Sequence, residues 1–204
     1  MAQNFLYDSF QGSMYAQAYA LYKEVPAAQR LFYYSESDDC TNFISQCVWA
    51  SYGGFVNGVD DQTVAINSKR IKSDVRQVKG IWFGSQSYIG SNKWCRVEEF
   101  FKYVTDKSKG LGPTAELVAE GSFWSVDPRL IKRGDVIQMV VTTYTPDRYG
   151  HGLYVTKAGS TWDEVLICCH LYDRLNEQMM WFAQYPQIYE KMRILRFLPS
   201  KFVS

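Results

Sequence analysis

The chain contains only two histidines, His151 and His170, among its 204 residues. It also lacks an uninterrupted apolar stretch of about 18 residues, which a membrane-spanning helix needs, and a leader with a basic segment before a hydrophobic core. Lysine and arginine total 22 against 21 aspartates and glutamates, so neither a nucleic-acid footprint nor a polybasic membrane patch is indicated. We expect a soluble protein without nucleic-acid partners or an integral membrane segment, cytoplasmic as written and extracellular or cell-wall located if a leader was removed.

The five cysteines are an odd number, so at least one thiol cannot be paired in a disulfide within the chain. No C-x-x-C or H-x-x-x-H spacing occurs, and this absence argues against a structural or catalytic zinc site. We therefore expect no metal and no cofactor. Charge balance and cysteine count leave the oligomeric state open.

The order of predicted elements indicates an α+β fold, with helices first and antiparallel strands later. We expect one domain over residues 1–204, because no linker or repeat interrupts the chain. The segment from Asp60 to Lys93 is polar and rich in glycine and serine, as expected of either a substrate-binding loop or a mobile surface loop. The predicted helices lie before Pro26, from Cys40 to about Gly53 and over 97–104, and the predicted strands cover 136–142, 150–156, 164–170 and 188–197.

Cys40 stands at the first turn of the second helix, on the face that carries Phe43, Ile44 and Cys47. The polar run 35–39 supplies residues that favour a helix N-cap, and Gly53 favours the helix end. Free N–H groups and the positive end of the helix dipole stabilise a thiolate, which predicts a lowered thiol pKa, although Asp38 and Asp39 oppose the effect. The alternative is that Cys40 is a small buried hydrophobic residue.

The two histidines fall on two predicted strands that form a hairpin. If the turn is centred between Ser160 and Thr161, His151 and His170 lie directly opposite each other. Their Cβ atoms would then be about 5 Å apart. The alternatives are an edge-strand histidine at 151 and a core residue at the strand end at 170.

These residues together predict a nucleophile, a base and an orienting group. Cys40 would attack a carbonyl carbon, His151 would hold the thiol proton, and His170 would fix the His151 ring. Asp173 or Asn176 could replace His170 as the third group. The backbone N–H of Cys40 is the expected oxyanion donor.

The segments Asp39 to Cys47, Gly134 to Gln138, Gly150-His151, and His170 with Asp173-Arg174 resemble the amidase domain family of bacteria. That family is similar to the NlpC-type papain-like cysteine peptidases. The resemblance implies a papain-like core in which the cysteine helix packs on the sheet.

For the site, the resemblance implies Cys40 as nucleophile, His151 as base and His170 as the third polar group. It also makes Tyr33 or Tyr34 a candidate to bind the oxyanion. Tyr34, Asp39, Asp173 and Asn176 are the candidates for oxyanion or substrate contacts.

The predicted function is hydrolysis of an amide through a thioester acyl-enzyme. The resemblance implies peptide or peptidoglycan-like substrates, such as the peptide stems of the bacterial cell wall. Two other interpretations stay open: an inactive module that binds a peptide or glycan, and an acyltransferase that uses the same thioester.

Overall fold

A computed structural model describes residues 2–73 and 76–203 of the chain. The helices are α1 Ser9–Tyr19, α2 Cys40–Ser51, α3 Asp61–Ser73, α4 Asn92–Cys95, α5 Val97–Thr105 and α6 Met180–Ala183. The strands are β1 Ala2–Phe5, β2 Thr114–Gly121, β3 Val136–Val141, β4 Thr145–Lys157, β5 Leu166–Cys169, β6 Arg174–Gln178, β7 Tyr189–Leu198 and β8 Ser200–Val203. The α+β class is confirmed.

Six strands form an antiparallel sheet in the order β2-β7-β3-β4-β5-β6, and β1 pairs with β8. Successive side chains of a strand point to opposite faces of the sheet, and both faces of this sheet are buried. Val136, Tyr154 and Leu195 belong to a core cluster shared with α1, α2 and α5. Ile137, Leu153 and Ile194, one position along their strands, belong to a second cluster on the opposite face.

Helix α2 is buried along its whole length, as expected of a helix packed between other elements rather than on the surface. It ends where the sequence predicted. Gly53 has a φ of 85°, its N–H binds the carbonyl of Ala50, and the next N–H binds the carbonyl of Trp49. This is the Schellman pattern, in which glycine takes the left-handed position at little cost.

One prediction about the segments between these elements was wrong. Residues 61–73 form helix α3, not an irregular loop, and the Asp60 carboxylate caps it by accepting bonds from the N–H and hydroxyl of Thr63. Residues 74 and 75, within the same segment, lie outside the described residues. Strands β2 and β6 were not predicted. Across the described ranges, no helix combines the length and apolar character needed to cross a bilayer.

Helix α2 lies directly on β4 at Gly152. A Cβ atom at this position would lie 2.3 Å from Ile44 Cδ1, well inside van der Waals contact. The missing side chain therefore lets the helix approach the strand next to His151. Because side chains alternate along β4, the His151 side chain points to the opposite face of the sheet from Ile44.

We expect Gly152→Ala to lower the free energy of unfolding by about 1–3 kcal/mol, because the new methyl group overpacks the helix–strand contact. Adding Ile44→Val, which deletes Cδ1, should recover part of that loss, although Ile44→Val alone costs about 0.5–1.5 kcal/mol. Urea unfolding of the four proteins measures the coupling. Gly110→Ala, where the new Cβ would meet open space, is the matched control. If the changes in unfolding free energy of Gly152→Ala and Ile44→Val simply add in the double variant, the two positions are not in contact.

Candidate active site

Cys40 is the first residue of α2 and is almost completely buried, with 6% of its surface exposed. Its Sγ lies 3.8 Å from Thr41 Oγ1 and 3.9 Å from the carbonyl oxygen of Gly150. Strand β5 pairs with β4 only from Tyr154 onward, so the thiol lies beside a part of β4 that β5 does not reach. The residue of β4 that the thiol contacts, Gly150, is the one that precedes His151.

The prediction of a lowered thiol pKa was wrong. Burial raises the pKa of Cys40 to about 11, and the carboxylate of Asp39 acts in the same direction. Bonds from Thr41 and from the Gly152 N–H only partly offset this effect. Loss of hydration therefore outweighs the effect of the helix terminus, and the side chain of Cys40 is a neutral thiol.

His151 is also buried, with 5% of its surface exposed, and its Nδ1 has no hydrogen-bond partner. Burial lowers the pKa of His151 to about 4, and the positive charge of Arg174 adds to the effect. The imidazole is therefore neutral at ordinary pH. Within the described residues no hydrogen bond joins Cys40 Sγ to either nitrogen of His151.

The predicted pairing of His151 with His170 was wrong. The observed pairs Tyr154–Cys168 and Val155–Ile167 shift the register by one residue, and the next pair, Lys157–Leu166, skips Thr156 as a bulge. Strand β5 also ends at Cys169, before His170. A bulge and an off-centre turn cannot be recognised from turn composition alone.

His170 instead contacts Asp39, the residue that precedes Cys40. Its Nδ1 lies 2.5 Å from Asp39 Oδ2, and its Nε2 lies 2.8 Å from the carbonyl oxygen of Tyr19. The His170 and Asp39 side chains are each 1% exposed. The ring also stacks on Phe43, with centroids 4.0 Å apart.

Both ring nitrogens of His170 already have partners. The Asp39 carboxyl group faces Nδ1 and the Tyr19 carbonyl oxygen faces Nε2, so neither nitrogen is available to His151. In this arrangement His170 forms a buried ion pair with Asp39, not the orienting contact to His151 that the sequence predicted.

Asp39 occupies the N-cap position of α2, but its side chain does not cap the helix. Its Oδ1 accepts hydrogen bonds from the N–H of Ser35 and from Asn42 Nδ2, both at 2.8 Å. Asn42 also donates to the carbonyl of Tyr33 and accepts from Trp94 Nε1. These bonds fix the chain on both sides of Cys40.

The remaining candidate residues, Tyr34, Asp173 and Asn176, make contacts in two different parts of the fold. The Tyr34 hydroxyl donates to Asp173 at 3.4 Å, so these two residues are brought together near His170. Burial and the Asp173 carboxylate raise the pKa of Tyr34 to about 12. Asn176 accepts hydrogen bonds from Thr156 and Gln17, on the α1 side of the sheet, and makes none to the two histidines.

Sequence reasoning missed the role of Asn42, which bonds to Asp39, to the carbonyl of Tyr33 and to Trp94. Asn42 did carry a signal, because it follows Asp39 by three residues at a helix start, where side chains of this spacing meet.

The described part of the chain holds no group of three or more metal-ligating side chains of the kind that could bind an ion. A cavity of about 770 Å³ lies between residues 71 and 88, within the predicted binding segment, but its lining does not include Cys40.

Comparison with known proteins gives one match. A family model described as "Putative amidase domain" covers residues 6–193. No curated protein and no solved structure matches the chain.

We expect Asp39→Asn to lower the free energy of unfolding by about 3–5 kcal/mol, because it leaves the buried His170 charge without a partner. Asp38→Asn, at the neighbouring exposed carboxylate, should change stability by less than about 0.5 kcal/mol. Denaturant unfolding at pH 7 measures both variants. Equal stabilities would show that the pair is not charged in the folded protein.

Proposed function

Because the chain belongs to the amidase domain family, we propose that it hydrolyses amides through a thioester formed on Cys40, with His151 as the general base. The observation that carries the proposal is that Cys40 Sγ lies 3.9 Å from the carbonyl oxygen of Gly150, the residue before His151. The His151 imidazole is itself buried, and its Nδ1 has no hydrogen-bond partner.

The protonation states support general-base catalysis from a neutral pair. The thiol loses its proton to His151 as Sγ attacks the carbonyl carbon, because neither group is charged beforehand. The resulting imidazolium then protonates the leaving amine as the carbon–nitrogen bond breaks. Water, deprotonated by the same imidazole, finally attacks the thioester and releases the acid and the free thiol.

The unpartnered Nδ1 of His151 supports its role as base. A buried polar atom without a hydrogen bond costs about 1–3 kcal/mol, so folds rarely keep one without a use. The hydrogen bond between thiol and imidazole is absent in the substrate-free protein. Catalytic hydrogen bonds of free enzymes are often long and tighten when substrate binds.

The start of α2 supplies the means to stabilise a tetrahedral intermediate. The first N–H groups of a helix have no partner within the helix, and the N–H of Cys40 is one of them. We assign it to the oxyanion. Tyr34 and Asp173 lie nearby as candidates for substrate contacts, whereas Asn176 is held on the α1 side.

The proposal gives His170 a positioning role. Its ion pair with Asp39 holds the residue before Cys40 against the end of β5, and so holds the nucleophile beside β4. A cysteine helix packed on an antiparallel sheet that carries the base is the papain-like arrangement of NlpC-type peptidases. Peptide amides such as the stems of the bacterial cell wall are the substrate class that this likeness favours.

We expect p-nitrophenyl acetate to acetylate Cys40, with a rate that is constant from about pH 5 to 8. The rate should fall only as the pH drops through about 4, because the lowered pKa keeps His151 unprotonated to that point. His151→Gln should slow acetylation at least about 100-fold. Release of p-nitrophenol gives the rate, and peptide mass spectrometry gives the site.

Cys40→Ala should abolish the acetyl adduct, and Cys95→Ala, at the half-buried thiol, should leave it intact. Acetylation of Cys95 at the full rate in the Cys40→Ala protein would reject Cys40 as nucleophile. A fall in rate near pH 6.5 would keep the nucleophile but reject the neutral pair.

A further inference from the structure

Strand β4 carries an extra residue directly before the proposed base. Tyr149 and His151 lie opposite consecutive residues of β3, Val140 and Met139, so Gly150 between them has no counterpart in β3. This is a β-bulge, a feature that changes the direction of the side chain that follows it. Residues two apart on a regular strand share a face, but here Tyr149 and His151 lie on opposite faces of the sheet.

The extra residue is a glycine for a steric reason. A Cβ atom at Gly150 would overlap the side chain of Thr145, the first residue of β4. The carbonyl oxygen of Gly150 is also the atom of β4 that lies 3.9 Å from Cys40 Sγ. The shape of the bulge therefore determines how β4 passes the thiol and the direction in which the next side chain, His151, leaves the strand.

Arg193 of β7 holds the residue before the bulge. Its guanidinium carbon lies 3.9 Å from the ring centroid of Tyr149 and 3.6 Å from that of Phe101 in α5. Its Nε donates to Gln138 Oε1 at 2.7 Å, and its Nη2 lies 3.3 Å from Glu98 Oε2, an ionic contact without hydrogen-bond geometry. The arginine is only 4% exposed, and contacts between a cation and aromatic rings are stronger when water is excluded.

Arg193 belongs to a row of paired residues that crosses the sheet. Glu120 of β2 pairs with Arg193, Arg193 pairs with Gln138 of β3, and Gln138 pairs with Gly152 of β4. Paired residues of antiparallel strands point to the same face. The Tyr149 hydroxyl returns to the start of this row by donating to Glu120 at 2.8 Å. The row therefore meets β4 directly before the bulge and directly after the proposed base.

We propose that Arg193 is a positioning residue, which holds Tyr149 and thereby fixes the bulge at Gly150 and the direction of the His151 imidazole. This inference rests on the proposed function and adds to it a residue two strands away from the base. The planar guanidinium is essential to the role. A lysine ammonium cannot lie flat between two rings while it also bonds to Gln138.

The test measures acetylation of Cys40 by p-nitrophenyl acetate in two backgrounds. We expect Arg193→Met to slow the reaction about 10- to 100-fold, because a shift of about 1 Å in a catalytic group costs up to this much. In the His151→Gln protein the same change should alter the rate by less than about twofold, because the base that it misplaces is already absent. An equal loss in both backgrounds would show a merely structural role and overturn the proposal.

Two further arginine variants serve as controls. Arg196→Met removes another arginine of β7, which binds the buried carboxylate of Asp135 at 2.7 Å, so it should lower the urea midpoint of unfolding as Arg193→Met does. Its acetylation rate should stay within about twofold of the original, because it has no contact with the row. Arg193→Lys keeps the charge beside Glu98 but loses the flat stack, and we expect it to be slowed as much as Arg193→Met. A full rate in Arg193→Lys would overturn the proposal.

Amide hydrogen exchange read by mass spectrometry tests the position of the bulge without using activity. In Arg193→Met the peptide that contains residues 149–152 should exchange at least about tenfold faster, while α2 keeps its protection. Tyr149→Leu, which removes the ring, should give the same result and replaces Arg193→Met if that variant does not fold. Unchanged exchange would overturn the proposal. If exchange rises but His151→Gln leaves acetylation unchanged, the proposed function fails while the hold of Arg193 on the bulge stands.

Discussion

The ion pair between Asp39 and His170 is the contact on which the rest of the site depends. It joins the residue before Cys40 to the residue after β5, and both side chains are almost fully buried. Burying two charges is costly unless every remaining donor and acceptor is satisfied. Here Ser35, Asn42 and the Tyr19 carbonyl satisfy them, so the pair fixes the helix start, the hairpin and the N-terminal segment together.

The two histidines occupy opposite electrostatic environments. His170 is bonded through both ring nitrogens, to Asp39 and to the Tyr19 carbonyl, whereas burial lowers the pKa of His151, whose Nδ1 has no partner. One ring is therefore suited to hold structure and the other to receive a proton. Environments that separate the protonation states of like residues are a recurring way of dividing catalytic roles.

Local rules predicted the parts of the fold that depend on neighbouring residues. The start of α2 at Cys40, its end before Gly53 and the strands β3 and β7 follow from apolar spacing and glycine conformation. Helix α3 was not predicted, because its sequence is mostly polar and shows no clear apolar face. The aspartate cap at Asp60, with Thr63 three residues later, was the signal that could have revealed it.

The geometry of the candidate site depends on strand register, on contacts between distant segments and on burial, which local sequence patterns do not determine. The off-centre turn and the bulge at Thr156 together shift the β4–β5 register by one residue, and β5 pairs with β4 only from Tyr154 onward, so His151 does not face His170. The contact of His170 with Asp39 joins distant segments, and no spacing rule predicts it. The direction of the Cys40 pKa required knowing that burial is nearly complete, since a helix terminus and an apolar surrounding act oppositely.

The separation of 131 residues between Asp39 and His170 has a consequence for biosynthesis. Contacts so far apart form only after a long loop has closed, and they raise the contact order of the chain. The pair that fixes the start of α2 therefore forms late in folding, after the chain between residues 39 and 170 has been made and has closed. Until that point the residues on both sides of Cys40 lack the bonds that hold them in the folded protein.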